Sequence, residues 1–318
     1  MAFATTSVAA VLTAMSGSDF LSSVDSSAEQ TAALLQLATQ LKQGDRRIDL
    51  GNRVLGLIFT KASTRTRVSF QVAMARLGGQ TVDLNPQVTQ LGRGEPLEDT
   101  ARVLSRFCDA LAIRTFAQQE LADYAHWASI PVINALTDLE HPCQALADFL
   151  TMQEAFGDLQ GQTLAYVGDG NNVAHSLMLC GALLGVNVRI GCPEGFEPLP
   201  GVVDQARSLA VNGAQISVIT DPVEAVRGAQ ALYTDVWASM GQEQEQAERE
   251  RAFQGFCLNE ELLAEADPRA IVLHCLPAHR GEEISAGVME GPSSRIFDQA
   301  ENRLHAQQAL LAALLGGL

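Results

Sequence analysis

The residues Ser63-Thr64-Arg65-Thr66-Arg67 place three hydroxyls and two guanidiniums in five positions. They follow an apolar run, Val54–Phe59, and open a stretch with helical spacing, Thr64–Leu77. A helix start presents unpaired backbone N–H groups and the positive end of the helix dipole. Hydroxyls and an arginine fork at that point make a cradle for a phosphate-like anion. An ordinary cap with solvated arginines has the same composition. Hydroxyls paired with two arginines directly after a buried strand favour the cradle. Ser63 or Thr64 is the expected N-cap, and Val68, Phe70, Val72, Ala73 and Leu77 are expected to face inward. Arg114 closes a second apolar run, Ala110–Ile113, at the strand end where α/β sheets place ligands. His141-Pro142-Cys143-Gln144 opens a further helix, with proline at its start, so His141 and Gln144 are expected on the same rim.

These groups need a scaffold, and the chain alternates short β-rich runs with amphipathic helical ones. The expected strands are Val54–Phe59, Gln80–Leu84, Ala110–Ile113, Pro131–Asn134, Thr163–Val167, Asn187–Ile190, Gln215–Ile219, Ala231–Thr234 and Ile271–His274. Helical patterns lie between them, including Leu97–Phe107, Gln118–Trp127, Pro142–Phe156, Asn172–Leu184, Val202–Val211 and Asp298–Leu315. Continuous apolar strands suit parallel sheets covered on both faces. The fold class expected is α/β, two doubly wound parallel-sheet domains of similar size joined by helices. Turn chemistry at 156–162 sets the boundary. The reading is an Ala/Ser/Thr-rich, frayed extension at 1–16, domains at 17–156 and 157–297, and a C-terminal helix at 298–318 packing back on the first domain. Residues 242–267, rich in Glu and Gln, are expected as exposed helical loops.

The 318 residues carry 21 basic and 37 acidic side chains, a net charge of −16. That sign argues against nucleic acid and against an anionic membrane as partners. The charge is uneven: residues 1–150 are net −3 and residues 151–318 net −13, yet Arg53 to Arg114 is net +4. A basic island in an acidic chain points to an anionic ligand, although a solvated face has the same composition. The six cysteines are scattered through apolar segments without a C-x-x-C pair, as in a reduced, cytoplasmic protein. No apolar run reaches the roughly 18–20 residues of a membrane helix. With no Lys or Arg before Lys42, neither a secretory leader nor an Arg-rich transit peptide is expected.

Ser63-Thr64-Arg65-Thr66-Arg67 together with His141-Pro142-Cys143-Gln144 resembles the aspartate and ornithine carbamoyltransferase superfamily, over nearly all the chain from about Asp19. Asp235-Val236-Trp237-Ala238-Ser239-Met240-Gly241 and His274-Cys275-Leu276-Pro277 resemble the loops of its ornithine branch. The resemblance implies a carbamoyl phosphate-binding first domain, an amino acid-binding second domain, a homotrimer or an assembly of trimers, and neither metal nor organic cofactor. It implies that Ser63, Thr64, Arg65 and Thr66 hold the phosphate. Arg114, His141 and Gln144 then contact the carbamoyl group, and Gln90 reaches into a neighbouring subunit's site. Asn172, Asp235, Ser239 and Met240 are the implied ornithine ligands, with Cys275, Leu276 and Arg303 completing the site. Arg65, Arg114, His141, Asp235 and Cys275 carry the implied catalysis. Thr60 stands where many members have an acidic residue, and the loop from Gln90 to Pro96 departs from the commonest form.

The implied reaction moves a carbamoyl group from carbamoyl phosphate to the δ-amine of L-ornithine, giving citrulline and phosphate in arginine metabolism, with biosynthesis the expected direction. An amine such as putrescine or N-acetylornithine is the alternative acceptor. Two other classes compete on the residues. Gly168-Asp169-Gly170-Asn171-Asn172-Val173 follows a strand as a dinucleotide loop would, pointing to an NAD-dependent oxidoreductase, but Val173 stands where the third glycine belongs. His274, Cys275 and His279 form a possible ligand cluster for a metal hydrolase, but their spacing matches no common zinc pattern and Pro277 interrupts it.

Overall fold

From Leu55 onward the apolar run β1 (Val54–Phe59) is fully buried. It pairs on one side with β2 (Gln80–Leu84) and on the other with β3 (Ala110–Arg114). A computed structural model describes residues 7–85, 89–238 and 246–318. With β4 (Val132–Leu136), these strands form a four-stranded parallel sheet in the order β2-β1-β3-β4. The second sheet, also parallel, contains β5 (Thr163–Val167), β6 (Asn187–Gly191), β7 (Ile216–Ile219), β8 (Ala231–Thr234) and β9 (Ile271–His274). Its order is β7-β6-β5-β8-β9.

Both sheets are doubly wound, and both reverse strand order once. The reversal lies between β1 and β3 in the first sheet and between β5 and β8 in the second. A crevice opens beyond the carboxyl ends of the strands at such a reversal, because successive connections leave in opposite directions. The segments that follow β1, β3, β5 and β8 are therefore the ones placed to receive a ligand.

Strand burial explains which runs are apolar throughout. The central β1, β3, β5 and β8 are covered on both faces, whereas edge strand β2 is mostly exposed. β4 and β9 end their sheets, yet each has its open side taken by one residue of irregular chain. Phe20 forms a parallel bridge with Ile133, and Ser294 forms one with Val272. Buried edges need such cover because unpaired backbone groups away from water are unfavourable.

The chain divides into two compact units, residues 1–147 with 301–318 and residues 148–300. The first division falls inside helix Pro142–Phe156 rather than in the turn at 156–162. This helix runs unbroken, and its later residue Phe149 packs near Gly181 within the second unit. Helix Ile296–Leu314 likewise changes unit at Glu301. No helix is long and apolar enough to cross a membrane, among the described residues.

Three local expectations change. Residues 8–16 are not a frayed extension: helix Val8–Thr13 buries Leu12, Met15 is buried after it, and the Gly17 N–H donates to the Leu314 carbonyl at 2.9 Å. Val68 is half exposed, because the buried stripe of helix Arg65–Arg76 runs through Thr66, Ser69, Phe70, Ala73 and Met74. Residues 246–267 are not uniformly exposed, since Phe253, Phe256, Leu258 and Leu262 join the core of the second unit.

Replacing Leu12 by Ala should lower unfolding free energy by about 2–5 kcal/mol, the usual range for a buried leucine. Urea denaturation measures this. A change near zero would restore the frayed-extension reading.

Candidate active site

The segment after β1 builds the first half-site. The Ser63 Oγ accepts the Thr66 N–H at 3.2 Å, so Ser63 and not Thr64 supplies the side-chain cap of helix Arg65–Arg76. Thr66 is buried, Arg65 and Ser63 are half-buried, and Thr64 is exposed. Arg67 is drawn away from this group. It pairs with Asp83 at the end of β2 and lies over the Phe59 ring at 5.0 Å. Lys61 is also committed elsewhere, to Asp138 at 2.5 Å and to the face of Phe116.

Arg114 ends β3 and pairs with Phe59 in register, but its pairing with β4 slips between Ile113 and Arg114. Such an irregularity re-aims the side chain where the strand leaves the sheet. His141 and Gln144 open helix Pro142–Phe156 and are both buried. The preceding Glu140 is held by the Ser23 N–H and hydroxyl at 3.1 and 2.7 Å and by the Ser22 hydroxyl. The turn at Phe20–Ser23 therefore both covers β4 and fixes the approach to His141.

Arg303, from helix Ile296–Leu314, joins these pieces. One end of its guanidinium donates to the Gln144 Oε1 at 2.8 Å, and the other donates to the Thr66 Oγ1. Arg303 is 3% exposed, so the fork is desolvated and its two hydrogen bonds set the orientation of both partners. Burial, then the charges of Arg303, Arg114 and Arg65, hold the His141 imidazole well below its ordinary 6.5. His141 is thus a neutral donor and acceptor in a cationic surrounding. Cys143 beside it is an inert thiol, pushed up to about 12 by burial.

The second half-site lies at the reversal between β5 and β8. Gly168-Asp169-Gly170 follows β5. A β-carbon at Gly170 would lie 2.2 Å from the Pro198 nitrogen, so close backbone approach is enough to require this glycine. Asn171 caps helix Asn172–Leu184, its Oδ1 accepting the Val173 and Ala174 N–H groups at 2.9 and 3.2 Å. Its Nδ2 then donates to the Asp235 Oδ2 at 3.0 Å. The Cys275 thiol donates to the other oxygen of Asp235 at 3.0 Å. Asp235 itself follows β8 and is 6% exposed.

The loop after β9 is held by its own network. The His274 Nδ1 accepts the Leu276 N–H at 2.8 Å, so its Nε2–H faces the Glu283 Oε1 at 3.1 Å. Gln299 accepts the His274 N–H at 2.8 Å and donates to Asp148 at 2.6 Å. Leu276 has φ of 61°, an unusual conformation for a branched residue and one that such networks impose at functional loops. One ligand atom from each of Asp235, His274 and Cys275 lies within 4.8 Å of the others. Both His274 nitrogens and both Asp235 oxygens are, however, already engaged in the bonds just given.

Of the residues expected at the site, Ser63, Arg65, Thr66, Arg114, His141, Gln144 and Arg303 belong to the first unit. Asn172, Asp235, Cys275 and Leu276 belong to the second. Gln90 stands exposed on a 3₁₀ turn, Gln90–Arg93. Ser239 and Met240 lie outside the described residues. Three contributors were not among the expected ligands. Asn171, not its neighbour, reaches Asp235. Buried Arg249 donates to the Asp169 Oδ2 at 2.9 Å and to the Trp237 carbonyl at 2.8 Å, and Asp169 is the acceptor that receives it. Asn171 was detectable as an N-cap signal, S/T/D/N before an apolar helix. An arginine in a Glu/Gln-rich stretch gives no such signal.

Comparison with known proteins bears on both units. Residues 18–154 match the family model described as the carbamoyl-P binding domain of aspartate/ornithine carbamoyltransferase, and residues 160–314 match its Asp/Orn binding domain. The chain is 85% identical over 311 residues to the ornithine carbamoyltransferase of Prochlorococcus marinus (strain MIT 9313), covering 98% of each. It is 82% identical over 318 residues to that of Parasynechococcus marenigrum (strain WH8102), covering 100% of each. Among solved structures, the Gloeobacter violaceus ornithine carbamoyltransferase is 57% identical with a TM-score of 0.86, over 94% of this chain and 98% of that one. The Pyrococcus furiosus ornithine carbamoyltransferase is 48% identical with a TM-score of 0.91, over 96% and 99%.

The depressed His141 value has a testable sign. The unfolded chain takes up a proton near 6.5 and the folded site refuses it, so stability falls as pH drops through 6.5. Above 6.5 the imidazole is neutral in both states and contributes no pH dependence. His141→Gln should remove this contribution, flattening the urea-midpoint profile of the wild type below pH 6.5 and matching its slope above. Parallel profiles throughout would mean that His141 titrates normally.

Proposed function

The chain belongs to the aspartate/ornithine carbamoyltransferase family, and on that footing we propose that it makes L-citrulline and phosphate from carbamoyl phosphate and L-ornithine. The observation that carries the reading is the full-length similarity to ornithine carbamoyltransferases together with the two differently charged half-sites. One gathers three arginines around a neutral histidine, and the other presents a buried aspartate. An anionic donor suits the first and a cationic amine the second.

Carbamoyl transfer builds charge on the carbonyl oxygen and on the departing phosphate. Donors fixed at those places before reaction lower the barrier without reorganising. In this proposal Ser63, Thr64 and Arg65, with the N–H groups of the helix start, hold the phosphate. Thr66, Arg114 and His141 serve the carbonyl oxygen. Arg303 has an indirect part: it donates into the Thr66 oxygen and leaves the hydroxyl proton to point elsewhere. It also fixes the Gln144 amide, whose carbonyl end faces the guanidinium.

The δ-amine of ornithine resembles that of lysine, whose reference pKa is about 10.4, so it must shed a proton before attack. Asp235 receives the ornithine amine in this scheme, steadied by Asn171 and Cys275. Asn172, Ser239 and Met240 are assigned to the remainder of the amino acid. Leu276 lines the carbamoyl side, and Gln90, exposed on its turn, is assigned to a neighbouring subunit's site in a homotrimer or an assembly of trimers. Work in the cytoplasm, in the biosynthetic direction of arginine metabolism, completes the proposal.

Purified protein given carbamoyl phosphate should form the ureido product with ornithine and not with putrescine, N-acetylornithine or aspartate. Failure to make citrulline from ornithine overturns the reading. Arg65→Ala should lower kcat/KM by about 100-fold or more, in line with loss of one transition-state donor. A loss under tenfold removes Arg65 from the phosphate. Cys275→Ala should shift the pH profile of kcat, and an unchanged rate and profile would exclude the thiol from proton handling.

A further inference from the structure

Glu283 is wholly buried, and only one of its carboxylate oxygens is used. The Oε1 receives the His279 backbone N–H at 2.5 Å and faces the His274 Nε2 at 3.1 Å. The Oε2 has no hydrogen-bond partner although it is shielded from water. A buried carboxylate oxygen left without a donor is unfavourable and calls for an explanation. It faces the edge of the His279 ring, whose Nδ1 is 3.8 Å away and also 3.7 Å from the Glu282 Oε2. One donor atom from each of these three side chains lies within 4.8 Å of the other two.

We propose that His279, Glu282 and Glu283 form a binding site for a divalent first-row cation of the Zn2+ type, separate from the two half-sites. The donor set is one imidazole nitrogen and two carboxylate oxygens, which suits zinc completed by water. Tetrahedral bonds of about 2.0–2.1 Å put ligand atoms about 3.4 Å apart, so the two His279 separations of 3.7 and 3.8 Å need only a few tenths of an ångström of closure, and the carboxylate pair, within 4.8 Å, closes by movement of the half-exposed Glu282. Glu282 and His279 are half-exposed and open to entry, and the buried Glu283 supplies a fixed wall. The neighbouring cation, Arg280, does not compete, because it is paired with Glu290 at 2.6 Å.

The site is wired to the loop beside it. A cation on the Glu283 Oε2 leaves the Oε1 on His274, and His274 holds the Leu276 N–H next to Cys275. A carboxylate bonded to metal on one oxygen and to an imidazole on the other orients that ring. Occupancy therefore stiffens the segment 274–283.

The test titrates Zn2+ alone into metal-free full-length protein by calorimetry, with Co2+ absorption as the spectroscopic readout. Wild type should bind one cation per chain and gain thermal stability. His279→Ala should weaken that binding at least tenfold and abolish the thermal gain, while its citrulline formation without metal stays at the wild-type level. Glu282→Gln should weaken binding in the same direction. Cys275→Ala should bind as wild type does, and the Co2+ spectrum should lack a thiolate charge-transfer band. Unchanged affinity in His279→Ala, or no binding by wild type, overturns the proposal. Loss of binding in Cys275→Ala with a thiolate band in the wild type also overturns it, placing the cation on Asp235, His274 and Cys275 instead.

Discussion

The Arg303 guanidinium reaches Gln144 and Thr66, which precede it by 159 and 237 positions. Two helix starts that local sequence cannot align are thereby set against one planar fork. The arrangement is demanding, because a buried guanidinium must be matched by acceptors in the right plane. Lysine would bring one charge and no fork. The consequences extend past the two bonded partners. With Arg65 and Arg114 nearby, the same charge keeps His141 neutral. A site so rich in positive charge is unfavourable until an anion shares it; of the basic island between Arg53 and Arg114, Arg65 and Arg114 belong to this site, whereas Arg53, Lys61 and Arg67 are paired with Asp109, Asp138 and Asp83.

The second unit solves the opposite problem. Asp235 is shielded, and each of its oxygens accepts one bond, from Asn171 and from Cys275. Asn171 does two jobs with one amide: its oxygen caps a helix and its nitrogen steadies the aspartate. The buried Arg249–Asp169 pair nearby ties the start of helix Asn172–Leu184 to the Trp237 carbonyl. Fixing this geometry through a helix cap and an ion pair leaves the aspartate little freedom to turn away.

Burial accounts for much, though not all, of what could be read from residue order. β1, β5, β8 and β9 were bounded correctly, as suits central or covered strands buried at nearly every position, and so was the mostly exposed edge strand β2. Other strand ends moved by one or two residues: Arg114, Ala135 with Leu136, and Gly191 continue β3, β4 and β6, while Pro131 and Gln215 fall outside β4 and β7. Helix Ala28–Gln43 is not among the expected helices, although Ser27 and Gln30 form a reciprocal cap and Gly44 ends it, which is a start signal carried by local residues. The anion motif was legible as local chemistry, since hydroxyls, arginines and a helix start are adjacent in sequence. The part played by Arg303 was reachable only through resemblance. No spacing rule connects residues so far apart, and neither does any rule predict that Glu283 would be buried beneath His279.

The first unit is discontinuous, taking residues 1–147 and then 301–318, while the second is a single stretch, 148–300. Synthesis runs from the N-terminus, and domains ordinarily fold in the order in which they emerge. Here that order is inverted at the decisive point. All of the second unit leaves the ribosome before Arg303 does. The nascent first unit must therefore keep Thr66 and Gln144 without their shared donor until the whole second unit has emerged. The aspartate half-site is free to mature early, and the arginine half-site is completed only after it.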